Sequence, residues 1–187
     1  MQPWKHMLRP RPKSAVLLAA LLAGLLPGLG MISAAVRAAS PAGLAPASRA
    51  TPGVTVAQVE VAIAQELLRL VNAERQRVNA PPLVLNEKLT AAAQRHSQDM
   101  ATSRRMSHTG SDGSTMRSRI DATQYRWSTI GENVAMGQPT AAAVISAWMS
   151  SPGHRQNILN PAFTELGVGQ ATGGGRLYWT QVFARPL

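Results

Sequence analysis

The spacing of apolar residues in this chain predicts an α+β domain, with helices layered against a small sheet. Three observations carry that reading. Two stretches with apolar residues every three to four positions run from Val56 to about Asn79 and from Asn86 to about Ser103. The C-terminal end instead alternates as two strands, Phe163–Gln170 and Leu177–Ala184, joined by Gly173-Gly174-Gly175. That turn makes the two strands an antiparallel hairpin. No internal repeat is present, so solenoid architectures are excluded.

The elements follow in order. Lys5, Arg9, Arg11 and Lys13 precede an apolar run from Ala15 to Ile32, and small residues follow up to Ala38. Residues 1–38 therefore read as a signal peptide, with an uncleaved N-terminal membrane anchor as the alternative because the apolar run is long. Residues 39–56, rich in Pro, Ala, Gly and Ser, read as a flexible linker. The folded domain is expected over 57–187. In the first helix Val59, Ile63, Leu67, Leu70 and Val71 form an apolar stripe, with Glu60, Glu66, Arg69, Glu74 and Arg75 largely outside it. Asn79-Ala80-Pro81-Pro82 ends this helix. Leu83-Val84-Leu85 is a short extended link, and Asn86 suits the N-cap of the second helix, whose stripe is Leu89, Ala93, His96 and Met100. A polar loop around His108 leads to a short helix near Ser114–Ala122. Trp127–Met136 reads as a strand broken at Gly131-Glu132-Asn133. A helix starting at Thr140 or Ala141 then breaks at Ser151-Pro152-Gly153, which presents His154.

Composition narrows the partners. The formal charge of +10 falls to about +5 once the N-terminal segment is removed, and all but one of the remaining cations are arginine. This mild excess permits contact with an anionic membrane surface or cell-wall polymer and gives no support to nucleic-acid binding. The chain has no cysteine, so an exported domain would be held by its core alone.

His108, Glu132 and His154 are polar residues that packing does not explain. Two imidazoles and a carboxylate suit either an open metal site or acid–base work. Each also has a plain structural reading: His108 as a surface loop histidine, Glu132 as an acceptor for nearby amides, His154 as a helix-end cap. His96 lies on the apolar stripe and reads as a hydrogen-bonded core histidine. Arg104, Arg105, Arg117, Arg119 and Arg126 form a rim near His108. Ser150 and Ser151 lie close to His154 but lack a nucleophile-elbow pattern.

The ordered blocks L-L-R-L-V-N-A-E-R, L-T-A-A-A-Q-R-H-S-Q-D-M-A, S-H-T-G-S-D-G, G-E-N-V-A, W-M-S-S-P-G-H-R-Q-N-I-L, F-T-E-L-G-V-G and Y-W-T-Q-V-F-A run from about Leu67 to Ala184. In this order they resemble the CAP superfamily of SCP-like extracellular proteins, in its bacterial cysteine-free form. The resemblance implies an α-β-α sandwich, a small mostly antiparallel sheet between helical layers, with a cleft holding two histidines and two glutamates. The matching positions are His108, Glu132 and His154, with Gly167 as the closing glycine of the L-G block. The second glutamate falls on Ser151.

Two functions of different class follow. One is an exported binding module, secreted, periplasmic or at the cell surface, whose His/Glu/His cleft takes a lipid, sterol-like or cell-wall ligand. The other is a metal-dependent hydrolase or peptidase, with His108 and His154 on zinc and Glu132 as ligand or catalytic base. A monomer or weak dimer is expected.

Overall fold

The computed structural model describes residues 55–187, so the signal or anchor and nearly all of the linker lie outside the described residues. Helix α1 (Val56–Gln76) opens at a capping box, in which the Thr55 side chain accepts from the Gln58 amide. The last two positions assigned to the linker are therefore the cap and first residue of the helix. Then follow β1 (Val84–Leu85), α2 (Glu87–Ser103), α3 (Met116–Asp121), β2 (Trp127–Met136), α4 (Ala141–Met149), α5 (Pro152–Leu159), β3 (Glu165–Gly173) and β4 (Arg176–Pro186).

The strands form one sheet in the order β1-β3-β4-β2, parallel between β1 and β3 and antiparallel elsewhere. Gly174 and Gly175 turn the β3–β4 hairpin with φ of +56° and +74°, a two-residue turn that needs positive φ at both positions. Alternation sends Trp179 and Phe183 of β4 into a core with Leu67, Val71, Trp148, Ile158 and Leu166. Val182 and Ala184 point the other way, against Leu89, Ala92 and Ala93 of α2. The central strand is buried on both faces because helices cover both, which is the α-β-α sandwich.

Glycines on β3 set the distance between the α2 layer and the sheet. A Cβ on Gly167, Gly169 or Gly173 would collide with the backbone of Leu89, Ala93 or Ala101, respectively. Two residues of strand advance about 6.6 Å and four residues of helix about 6 Å, so Gly167 and Gly169 meet successive turns of α2 and Gly173 meets the turn two further on. The helix thus lies almost directly on the strand. Asn86 caps α2, accepting from the amides of Lys88 and Leu89 at 2.9 and 3.2 Å, while its own amide donates to Glu165. Tyr125 donates to the same carboxylate at 2.6 Å, tying the approach to β2 to the start of β3.

Three expectations are corrected. Strand β2 runs unbroken through Gly131-Glu132-Asn133, and its register shifts only near Trp127. Gly131 is needed for close approach, since a Cβ there would sit 2.8 Å from the Phe163 ring. Pro152-Gly153-His154 opens a new helix, with Pro152 in its first turn, where a missing N–H costs nothing. Arg75 is fully buried although the helical pattern put it outside the stripe.

Candidate functional site

The second helix fixes the loop that carries His108. His96 and Asp99, one turn apart on α2, both reach it. His96 Nε2–H donates to the Ser107 carbonyl at 2.8 Å, and Asp99 accepts from the Ser111 amide and hydroxyl. His96 is 1% exposed, and burial holds its pKa below the usual imidazole range. It is a structural residue that sets the loop backbone beside His108. Within the loop, Gly110 N–H donates to the Ser114 carbonyl and Asp112 accepts from the Ser114 amide.

Glu132 lies on β2 opposite Val182, so its side chain faces the α2 layer. It is 7% exposed, and a carboxylate at that depth needs charged partners. It has two. His108 Nδ1–H donates to Oε1 at 2.9 Å, and Arg119 Nη2 donates to Oε2 at 2.7 Å. Arg119, on α3, also donates to the carbonyls of His108 and Ser114, so it clamps carboxylate and loop together. The bond to Glu132 raises the pKa of His108, whose side chain remains 59% exposed. The sequence places Arg119 among the rim arginines near His108. The signal that singles it out is the buried acid, which requires a cation nearby.

Asn133, the next residue of β2, points to the opposite face. Its amide donates to the His154 carbonyl and to Gln181, and Asn157 bridges the Asn133 side chain and the Glu132 carbonyl. These bonds fasten α5 to β2, the outer strand of the sheet at this end. His154 is half-buried there, and burial, followed by the positive charge of His108, lowers its pKa. Ser151 is the N-cap residue of α5 and makes no side-chain cap bond.

The structure therefore joins His108 directly to Glu132 and sets His154 in the helix attached to the next residue of the same strand. It does not assemble three metal donors. Among the described residues no three His, Cys, Asp or Glu side chains cluster to hold an ion. A hydrolytic zinc takes three protein ligands. Glu132 is turned toward His108 and Arg119, one on each oxygen, and no third donor stands with the two imidazoles, so the donor set as it stands does not fit.

A second concavity, of about 560 Å³, lies on the other side of the molecule, where α1 and α2 flank the β3 edge. It is walled largely by apolar side chains, among them Val61, Ile63, Ala64, Leu85, Ala91 and Val168. The apolar stripe read from the sequence runs through Val59 and Ile63 and omits Val61, so it does not show that this end of α1 is left uncovered. In fact Val59 is 44% and Val61 56% exposed.

Comparison with known proteins places this architecture. The chain is 40% identical over 119 residues to the Bacillus subtilis protein YkwD, a span covering 64% of this chain and 46% of that one. It is 27% identical over 128 residues to the Bacillus subtilis membrane protein YlbC, covering 68% of this chain and 36% of that one. Among solved structures, an extracellular SCP-domain protein from Bacillus anthracis superposes with a TM-score of 0.64 at 31% identity, covering 72% of this chain and 45% of that one. An outer surface protein of Borrelia burgdorferi shares the fold, with a TM-score of 0.63 at 20% identity over 71% of this chain and 97% of that one. The chain thus spans less than half the length of its two Bacillus subtilis relatives. The family model described as CAP, cysteine-rich secretory protein family, matches residues 68–183, and the chain belongs to that family.

Proposed function

We propose that this protein is an extracytoplasmic binding module and that its ligand seats in the apolar groove between α1 and α2. The groove carries the reading. Its volume falls in the range of small-ligand pockets, about 300–1,000 Å³, and its walls offer mainly apolar contact, with two carboxylates among the lining residues. Work outside the cytoplasm is supported by the signal-like start of the chain and by the extracellular description of the Bacillus anthracis relative. No helix among the described residues is long and apolar enough to cross a membrane. The sequence-based expectation put a lipid or cell-wall ligand in the His108/Glu132/His154 cleft. The charged groups there suit a polar contact, and the apolar part of a ligand is better served by the groove.

Binding of decanol, a neutral apolar probe, tests this. Ala91→Trp fills the groove from an exposed position and is expected to weaken binding roughly tenfold or more. His108→Ala should leave it unchanged. Loss of binding in His108→Ala alone would move the ligand back to the cleft. One zinc per chain that survives dialysis and is lost in His108→Ala would favour the metal-dependent hydrolase or peptidase instead.

A further inference from the structure

The floor of the groove is an incompletely paired sheet edge. Strand β1 covers β3 only at Glu165 and Leu166 and then turns away, with the Asn86 amide donating to the Leu166 carbonyl. Alternation directs the backbone N–H and C=O of Leu166, Val168 and Gln170 toward this outer edge. At Gln170 the Gln94 side chain takes a strand's place: its Nε2 donates to the Gln170 carbonyl and its Oε1 accepts from the Gln170 amide, both at 2.9 Å. Val168 lies between these two covered positions. Among the described residues its N–H and C=O have no protein partner on that side. A backbone pair buried without partners costs free energy until something bonds it.

The charges around the groove have one sign. Glu60 on α1 and Glu87 on α2 line it, and no lysine or arginine does. Glu60 is bridged to Gln94 at 3.3 Å, so one acid sits beside the side chain that covers the edge. Open strand edges are a common route by which a domain takes up an extended peptide, with the peptide backbone supplying the bonds and wall pockets receiving alternate side chains.

We propose that the groove docks an extended peptide with apolar and basic side chains, which adds to the β3 edge at Val168 and displaces Gln94 to reach Gln170. This rests on the groove reading and names its ligand class. Val168 provides a donor and an acceptor one peptide unit apart. Val61, Ile63 and Ala91 offer apolar contact, and Glu60 and Glu87 receive the positive side chains.

Fluorescence anisotropy with the full chain tests it, using a labelled five-residue peptide, Lys-Val-Thr-Val-Lys, acetylated and amidated at its ends. N-methylation of the central amides, which removes the pairing donors, should weaken binding about tenfold. Replacing both lysines by glutamate should weaken it about three- to tenfold at low salt, less at high salt, since the acids are exposed. The Glu60→Gln/Glu87→Gln double variant should erase that preference, and Gln94→Ala should tighten binding by freeing Gln170. Equal binding of the N-methylated peptide, or an unchanged charge preference in the double variant, would overturn the proposal. Decanol bound without the peptide would overturn the peptide alone and leave the groove reading standing. Failure of both probes would remove both.

Discussion

Two buried charges in this molecule are satisfied in opposite ways. Arg75, fully buried, donates to the carbonyls of Pro81, Ile158, Asn160 and Phe163 at 2.7–3.1 Å and meets no carboxylate. Two of those carbonyls close the C-terminal end of α5, where the helix dipole favours a cation. Glu132 is held by His108 and Arg119, and the His108 side chain is more than half exposed. Arg75 spends four of its five N–H donors on backbone carbonyls and is closed to solvent, so it fastens α1 to α5 and is out of a ligand's reach. Glu132 is anchored at the same depth, but its partner histidine carries the interaction to the surface. Burial of a charge therefore does not say whether it is felt at the surface; the exposure of its partner does.

That contrast is broken most directly at Arg75. Arg75→Met should cost about 3–5 kcal/mol, because four carbonyls lose their donor together. It should leave decanol binding per folded molecule unchanged. A variant with wild-type denaturant midpoint would show that water replaces the guanidinium without loss.

Gly169→Val sharpens the contrast from the packing side. It should destabilise by about 2–4 kcal/mol, since the new side chain meets the Ala93 backbone and must push α2 off the sheet. The His108 loop hangs from α2 through His96 and Asp99, so loop amides should lose hydrogen-exchange protection in the same variant. A destabilised variant with unaltered loop protection would break that link.

At the open cluster, Glu132→Gln should cost about 1–3 kcal/mol, leaving Arg119 without its ion-pair partner. NMR titration should show the His108 pKa falling from its raised position toward the usual imidazole value near 6.5. An unmoved titration would mean that Glu132 does not set the state of His108.

The smallest effect is in the pH dependence. The raised folded pKa of His108 means that its stabilisation is complete below about pH 6.5 and is lost as pH rises through the folded value. Exposure and screening keep it below about 1 kcal/mol. His96 and His154, whose folded pKa values are lowered mainly by burial, act in the other direction. Their contribution is present above about pH 6.5 and is lost as pH falls toward the folded values. His108→Gln removes the first effect and, of the second, only the smaller part that the charge of His108 adds at His154, so melting temperature should still drop more steeply between pH 8 and 5.5 than in the wild type. An identical slope would show that the His108–Glu132 bond adds nothing measurable.

Much of this protein is determined by local chemistry and is legible in order along the chain. Asn86 caps its helix because a short polar side chain can accept from the next amides. Gly174 and Gly175 make the hairpin because only positive φ closes it, and β4 alternates as strand geometry requires. The ordered motifs around His108, Glu132 and His154 extend that reading to the family and its sandwich. What local pattern left undecided depended on neighbours distant in sequence. Pro152-Gly153 reads equally as a turn or a helix start until Asn133 and Asn157 fasten α5 to β2. Arg75 looks solvated until the α5 carbonyls surround it, and Arg119 looks like a rim charge until Glu132 is buried beside it. The open edge at Val168 exists only because β1 is two residues long and a glutamine on another element covers the next position. Periodicity reports which face of an element is apolar; which charges meet, and which backbone groups stay unpaired, are settled only when the layers come together.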